Sequence, residues 1–519
     1  MGSTARLEKL CRRSLSGRRL ILASNRGPVE YYLSDDGVLQ ARRGSGGVVT
    51  TLGSLSQYVE LCWIASVMGK WDRQAALRAQ GGRLKIAAEN EQLYLQFIVS
   101  PGNTYHKYYS VICNPLLWFL QHYMWNSPRT PNIDRIAYDA WENGYVVVNQ
   151  AFARAVIDEV RQSELPPVVM LNDYHLYLAS AYIREQVPEL IIQHFTHIPW
   201  PDAFYWHLLP RLMRQAIHRS LCTADIVGLQ TVRDVHNFLD CCQAFVDGAE
   251  VDFKHQTVRT NGHITRVKAY PISIDVTAVR QLLSSEKCRQ YLPKLANLYG
   301  EKTIVRVDRC EPSKNIIRGF RAFDMLLERY PQLRGKIRFI AFLVPTRTHL
   351  KPYQRYFQDV IQLVEDINNK YRTADWYPID YLYKNNYAQA IAGMTMYDVL
   401  LVNAVVDGMN LVAKEGPIVN TRDGVLILSE SVGACAQLGE NALTVTPTDL
   451  EETTQTLYAA LTMPPDEKKR RAAALKKSIE KEDITDWLLH LLEDIVTLLE
   501  ERSGTATPEN TLHHLYRSK

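Results

Sequence analysis

The stretch Ile304-Val305-Arg306-Val307-Asp308-Arg309-Cys310-Glu311-Pro312-Ser313-Lys314 decides the fold. It passes from a short apolar run into a polar loop and then into a helical pattern over residues 312–330. Apolar runs with little polar alternation mark strands covered on both faces, as in parallel sheets. The same unit recurs downstream, with strands predicted at 337–344, 399–402, 425–428 and 442–445 and a helix at 352–371. It also precedes the quoted stretch, with strands predicted at 20–23, 168–171, 191–195 and 226–229 and a helix at 208–221. The expected fold class is α/β, as two successive doubly wound domains. The first spans residues 20–283 after a flexible N-terminus at 1–19, and the second spans 284–484. The polar segment 284–301 reads as the linker, 485–503 as a strongly apolar last helix and 504–519 as a loose tail.

Composition narrows the classes. The chain has 519 residues, and Lys+Arg 60 against Asp+Glu 56 leaves a net charge of +4. That balance does not suit a dedicated polyanion surface, so no nucleic-acid partner is expected. The nine cysteines form no Cys-x-x-Cys pair, which fits neither a disulfide framework nor a Cys-rich zinc site and suits a reducing cytoplasm. There is no apolar run of about 18 residues, so no membrane partner is expected.

Polar residues suited to chemistry cluster at predicted strand ends, the edge where open α/β sheets bind ligands. Successive glycines in Gly44-Ser45-Gly46-Gly47 would turn backbone N–H groups toward a phosphate; the alternative is a flexible turn. Val49 breaks the Gly-x-Gly-x-x-Gly fingerprint, which disfavours a dinucleotide fold. Asn172-Asp173-Tyr174-His175 ends one strand and His197 ends the next. Taken singly, Asp173 reads equally as a helix cap and His197 as a structural ring. Arg309 and Lys314 place two cations in one loop near a helix start, which suits a diphosphate. The alternative there is a solvated pair, or Arg309 bridging to Asp308. In Asp407-Gly408-Met409-Asn410-Leu411-Val412-Ala413-Lys414-Glu415, Gly408 permits a tight turn and the N–H groups of Met409, Asn410 and Leu411 suit an anion. Asp407 and Glu415 would accept from hydroxyls, or Asp407 would merely cap the helix. Asp-x-Asp, Gly-x4-Gly-Lys, His-Glu-x-x-His and Gly-x-Ser-x-Gly are all absent, so ATPase, zinc-protease and serine-hydrolase readings lack support.

In this order, Ser24-Asn25-Arg26, Gly46-Gly47, Asp173-Tyr174-His175-Leu176, His197-Ile198-Pro199, Asp308-Arg309, Ser313-Lys314, the 407–415 string and residues 424–430 carry a resemblance. The chain resembles the trehalose-6-phosphate synthase family, retaining glycosyltransferases of the GT-B fold (family 20), from about residue 20 to about residue 498. The resemblance implies two facing Rossmann-like domains with the active site in the cleft, and a last helix crossing back to the first domain. It implies that Arg26, Tyr109, Trp118 and Arg347 hold the acceptor's phosphate and that Asp173 binds its hydroxyls. His197 and Asp407 would face the donor sugar, and Arg309 and Lys314 would grip the diphosphate. These four are the implied catalytic residues. Gly46, Gly47, Gly408, Met409, Asn410 and Leu411 would complete the donor site, with Glu415 on the ribose.

The chain departs from the family pattern at Asn172 for His, Cys310-Glu311-Pro312 for Leu-Asp-Tyr, Asn315 for Gly and Val406 for Arg. Pro312-x-Lys314-Asn315, Val406-Asp407-Gly408 and residues 200–206 are similar to the validamycin-pathway pseudoglycosyltransferase. That relative couples a nucleotide-cyclitol to an aminocyclitol phosphate. The 409–415 string is instead that of the sugar transferases.

The activity implied is glucosyl transfer from UDP-, GDP- or ADP-glucose to glucose 6-phosphate, giving α,α-trehalose 6-phosphate. The implied mechanism is front-face, with no protein nucleophile, no metal and no other cofactor. Alternatives are pseudoglycosyl coupling, another phosphorylated acceptor such as glycerol 3-phosphate, and an inactive sugar-phosphate-binding regulator. Partners are the small-molecule substrates, and a homo-oligomer stays open.

Overall fold

The computed structural model describes residues 3–43, 52–53, 55–79, 82–86 and 93–504. The chain divides into two compact units, Met1–Tyr270 with Thr485–Lys519, and Pro271–Ile484.

The first unit is built on a ten-stranded sheet. Its parallel core runs His263–Ala269, Ile226–Leu229, Ile191–Phe195, Pro167–Asn172, Arg19–Ser24, Glu60–Ser66 and Leu93–Ile98. Arg19–Ser24 comes first in the chain yet lies inside the sheet, between Pro167–Asn172 and Glu60–Ser66. The chain winds outward on one side and then returns to build the other. Loops leaving the two strands at such a reversal diverge and open a crevice. Ser24 and Asn172 end those two strands.

The second unit repeats the plan with six parallel strands. Their order is Ile379–Tyr383, Ile337–Val344, Lys302–Arg309, Val399–Val402, Val425–Ser429 and Leu443–Val445. The reversal lies between Lys302–Arg309 and Val399–Val402, so Arg309 ends a strand at it. This is the winding of nucleotide-binding halves. The Gly44-Ser45-Gly46-Gly47 segment lies outside the described residues; in the second unit the loop at the reversal carries Arg309, Glu311 and Lys314. The strands Ile191–Phe195, Ile226–Leu229 and Val399–Val402 are buried along their whole length, which is why they read as unbroken apolar runs. Beneath the second sheet, Phe320 and Phe323 meet Phe339 edge-on at 5.1 and 5.3 Å, a favoured aromatic geometry.

Four expectations need correction. Residues 3–15 are not a flexible end but helical, Ser3–Leu10 continuing through Cys11–Leu15. Leu7, Cys11 and Leu15 recur every four residues and bury one face. Ser3 Oγ donates to Asp486 at 2.6 Å and Arg6 to Glu493 at 2.9 Å, tying this segment to the last helix, Ile484–Ser503. The units divide at Tyr270/Pro271 rather than near residue 284. The polar segment expected as a linker instead forms the helices Glu286–Arg289 and Leu292–Ala296, whose Cys288 and Leu295 are buried. The helix expected over 312–330 is broken at Asn315, which sits left-handed at φ 58° between a 3-10 turn, Pro312–Lys314, and the helix Ile316–Arg329. Asn tolerates that conformation better than most residues, so it can stand where the family has Gly. Its Nδ2 donates to the carbonyls of Asn403 (2.8 Å) and Pro447 (2.6 Å). All nine cysteines are free thiols. Among the described residues no helix is long and apolar enough to cross a membrane.

Candidate active site

On the first unit, the strand ends flanking the reversal gather one group of side chains. Arg26 is exposed in the turn after Arg19–Ser24, beside buried Asn25. Asn25 accepts from Tyr108 Oη at 3.2 Å and its Nδ2 donates to Tyr105 Oη at 3.3 Å. Tyr105 stacks on Tyr109 at 5.6 Å, and Tyr109 stacks on His175 at 6.0 Å. His175 Nδ1 lies 3.8 Å from an Asp173 carboxylate oxygen. Tyr109 stands on a π-helical stretch, Lys107–Leu117, wound wider than an α-helix around Pro115, which has no N–H to give.

Asp173 has φ 72° and ψ 171°, a region nearly reserved for glycine and costing about 1–3 kcal/mol. The next strand enforces it: Asp173 N–H donates to Phe195 O at 2.7 Å, and Asp173 Oδ1 accepts from His197 N–H at 3.2 Å. Tyr109, Asp173 and His197 are thus linked through His175, and Arg26 follows Asn25, which bonds Tyr105 and Tyr108. Trp118 is 1% exposed and stacks on His122 at 4.0 Å.

His197 packs against Phe195 and Trp487, and burial pulls its ring down to about 4. It is a neutral imidazole at pH 7. Burial acts likewise on His218, to about 4, and His194, to about 3. The folded chain therefore binds fewer protons than the unfolded chain between these values and the ordinary 6.5, and stability is lost as pH falls through that window. Each ring contributes up to ~1.4 kcal/mol per pH unit. Asp234, Asp308 and Glu415, whose carboxyls burial pushes up, work in the opposite sense. Two outcomes are expected: the unfolding free energy of His218→Phe falls less steeply than wild type between pH 6.5 and 4.5, and kcat from pH 6 to 8 shows no inflection that disappears in His197→Asn.

On the second unit, the loop after Lys302–Arg309 is held from beneath by Arg306, which is completely buried. Its guanidinium donates to Asp308 Oδ2 (2.9 Å), Lys314 O (2.9 Å) and Ile316 O (3.3 Å). A Cβ at Gly319 would strike that guanidinium, so glycine is needed there. Asp308 is thus the partner of Arg306, and Arg309 pairs instead with Glu311 at 2.9 Å. Lys314 Nζ forms an ion pair with Asp407. Arg347, left-handed at φ 45°, donates to Glu311 Oε2 and Tyr353 Oη, both at 3.0 Å. The sequence expectations for Arg309, Lys314, Asp407 and Arg347 therefore fall in two linked ion-pair groups.

Gly408, Met409 and Asn410 are buried, and Asn410 is left-handed at φ 65°. They and Leu411 lead into the helix Val412–Val419, which no side chain caps, so its first N–H groups suit an anion. Asn410 Oδ1 is buried without a hydrogen-bond partner. Glu415 accepts from Tyr387 Oη at 2.8 Å. Gly46 and Gly47 lie outside the described residues. Among the described residues, no group of three or more His, Cys, Asp or Glu side chains could hold a metal ion.

Sequence reading missed Arg306, Tyr353, Tyr387, Gly433 and the part played by Glu311; Tyr387 meets Glu415, Gly433 meets Gly408 and Glu311 meets Arg347 from positions distant in sequence. Gly433 is the clearest case: a Cβ there would overlap the Gly408 carbonyl oxygen. Gly433→Ala is expected to displace the 408–410 backbone and raise the donor KM roughly 10-fold, read from steady-state kinetics.

Comparison with known proteins identifies the family. The profile of glycosyltransferase family 20 matches residues 18–497. Alpha,alpha-trehalose-phosphate synthase [UDP-forming] of Schizosaccharomyces pombe is 30% identical over 464 residues, 88% of this chain and 86% of that protein. Validamine 7-phosphate valienyltransferase of Streptomyces hygroscopicus subsp. jinggangensis is 29% identical, over 95% of this chain and 97% of that protein. A solved E. coli structure bound with UDP-2-fluoro glucose has a TM-score of 0.78 at 27% identity, covering 92% of this chain and 99% of that one. Two nucleotide-type windings, a cation loop at one reversal and a profile match along nearly the whole chain lead to one assignment: the chain belongs to glycosyltransferase family 20.

Proposed function

We propose that this glycosyltransferase moves glucose from UDP-glucose to glucose 6-phosphate, giving α,α-trehalose 6-phosphate with retained configuration. The observation that carries the reading is the second unit's loop set at the sheet reversal: Arg309, the Lys314–Asp407 pair and the uncapped helix Val412–Val419. Such a set suits a nucleoside diphosphate.

The chemistry follows from charge. As the bond from the sugar's C1 to the diphosphate oxygen breaks, negative charge grows on the leaving UDP. Arg309, Lys314 and the helix N-terminus are fixed where that charge develops, so they lower the barrier without reorganising. The acceptor hydroxyl forms the new bond to C1 on the face that UDP leaves, and its proton passes to the departing phosphate oxygen. No protein nucleophile takes part. Neutral His197 and Asp407 bind donor hydroxyls, and Glu415, steadied by Tyr387, holds the ribose. Arg26 and Tyr109 bind the acceptor's phosphate, Asp173 its hydroxyls, and Arg347 adds a further charge toward the phosphate. The two cations neutralise the leaving group, so turnover is proposed to need no divalent metal.

Asp407 already has Lys314 as its partner, so the absence of the family's Arg at Val406 removes a redundant cation. Val406→Arg is expected to change kcat/KM by less than about 5-fold and to leave the ranking of UDP-, GDP- and ADP-glucose as it is.

A second reading, coupling of a nucleotide-cyclitol to a cyclitol phosphate, draws on the 29% identity to the valienyltransferase and on Pro312-x-Lys314-Asn315, and the likeness to trehalose-phosphate synthases does not favour it. UDP release measured with glucose 6-phosphate, glycerol 3-phosphate and an aminocyclitol phosphate separates the two. Release from UDP-glucose that depends on glucose 6-phosphate supports the first reading, and release only from a nucleotide-cyclitol replaces it.

A further inference from the structure

Glu311 occupies a position that the reaction as described does not use. Its side chain is fully buried. Oε1 lies 2.9 Å from Arg309 Nη2, an ion pair without hydrogen-bond alignment, and Oε2 accepts from Arg347 Nη1 at 3.0 Å. Arg309 is nearly half-exposed at 45%, whereas the Arg347 side chain is 9% exposed. One buried carboxylate thus bridges two guanidinium groups whose parent residues are far apart in sequence.

Its backbone is equally constrained. Pro312 follows Glu311 and bars it from the helical region, and Glu311 sits extended at φ −143° and ψ 152°. Glu311 N–H donates to Arg309 O at 2.8 Å, and Cys310 N–H donates to Val344 O at 2.9 Å. Arg347 itself is held in a left-handed conformation that an arginine does not favour. Glu311 and Tyr353 both anchor its Nη1, so the strained backbone is held from the side-chain end. Two long cationic side chains would otherwise each sample many rotamers.

We infer that Glu311 is a positioning residue, a buried carboxylate that fixes Arg309 and Arg347 at one spacing and so sets the diphosphate-binding cation against the phosphate-binding one. The inference rests on the proposed assignment of Arg309 to the donor's diphosphate and Arg347 to the acceptor's phosphate. Glu311 touches neither substrate. Its negative charge opposes phosphate binding in the ground state, while its geometry serves the transition state. The two roles separate kinetically: removing the charge should not weaken either substrate, but should misplace the arginines when leaving-group charge develops.

The test is steady-state kinetics on the full-length enzyme with UDP-glucose and glucose 6-phosphate, alongside thermal unfolding. Glu311→Gln is expected to lower kcat roughly 10- to 100-fold, with neither KM raised. Glu311→Asp, which restores the carboxylate on a shorter stem, is expected to recover a large part of that loss and guards against a Gln variant that folds poorly. Unchanged kcat in Glu311→Gln overturns the inference. So does a fall in kcat that only tracks a lower unfolding midpoint with both KM values raised, and no better in Glu311→Asp, since that is a structural role. Arg309→Ala and Arg347→Ala are measured beside them. If neither impairs turnover, the assignment of the two arginines fails; if both do and Glu311→Gln does not, only the positioning role fails.

Discussion

Arg309→Ala is expected to lower kcat by roughly 10²- to 10³-fold, the scale for removing one preorganised group from a site of developing charge. Arg309 ends the central strand of the second sheet at its reversal and is anchored by Glu311, so its charge is fixed before substrate arrives. Ground-state binding should suffer less. Lys314 and the N–H groups of the helix Val412–Val419 still meet the diphosphate, and the donor KM is expected to rise by less than about 10-fold. Lys314→Ala should also strip Asp407 of its ion-pair partner, so it is expected to raise the donor KM as well as lower kcat. Rapid-quench or steady-state measurement of UDP release distinguishes the two patterns. An Arg309→Ala enzyme with wild-type kcat would remove this residue from the reaction.

Free glucose is expected to be a very poor acceptor, with kcat/KM at least about 10²-fold below that of glucose 6-phosphate. Charge-assisted hydrogen bonds contribute roughly 1.5–3 kcal/mol each, or about 10- to 100-fold, and Arg26 and Arg347 are both assigned to the phosphate. The two arginines differ in preparation. Arg26 is exposed, whereas the Arg347 guanidinium is already held by Glu311 and Tyr353. Less side-chain freedom remains to be lost at Arg347, so Arg347→Ala should cost more than Arg26→Ala. Each should narrow the preference for glucose 6-phosphate over glucose while leaving the donor KM within a few-fold. Equal rates with glucose and glucose 6-phosphate in the wild type would contradict the assignment of both.

What was legible in the sequence follows from what repeats locally. Ile191–Phe195 and Ile226–Leu229 are buried on both faces, so their strand character shows as unbroken apolar runs. Residues 61–65 inside Glu60–Ser66 are a further unbroken apolar run that the sequence reading passed over, whereas Ile379–Tyr383 is an edge strand with Asp380 inside it and gives no such signal. The Leu7, Cys11 and Leu15 stripe was present in an Arg-rich end whose charge disguised it. At the site, strand-end residues were legible because the fold places ligands at strand ends: Arg26, Asp173, Arg309 and the 407–415 string all sit there. The Glu311 bridge was invisible because Arg347 reaches it from another strand end. Asn315 is the instructive departure: a non-glycine residue in place of Gly looked like a change of function, and its left-handed backbone shows the original constraint still satisfied.

The most direct test of the central claim is the product itself. The purified chain is incubated with UDP-glucose, carbon-13 labelled at C1, and glucose 6-phosphate in excess EDTA, and the product is read by mass spectrometry and carbon NMR. The account predicts one labelled disaccharide monophosphate with an α,α linkage, formed together with one equivalent of UDP. A β-configured product, turnover only after a divalent metal is restored, or no sugar product alongside coupling of a nucleotide-cyclitol would contradict it.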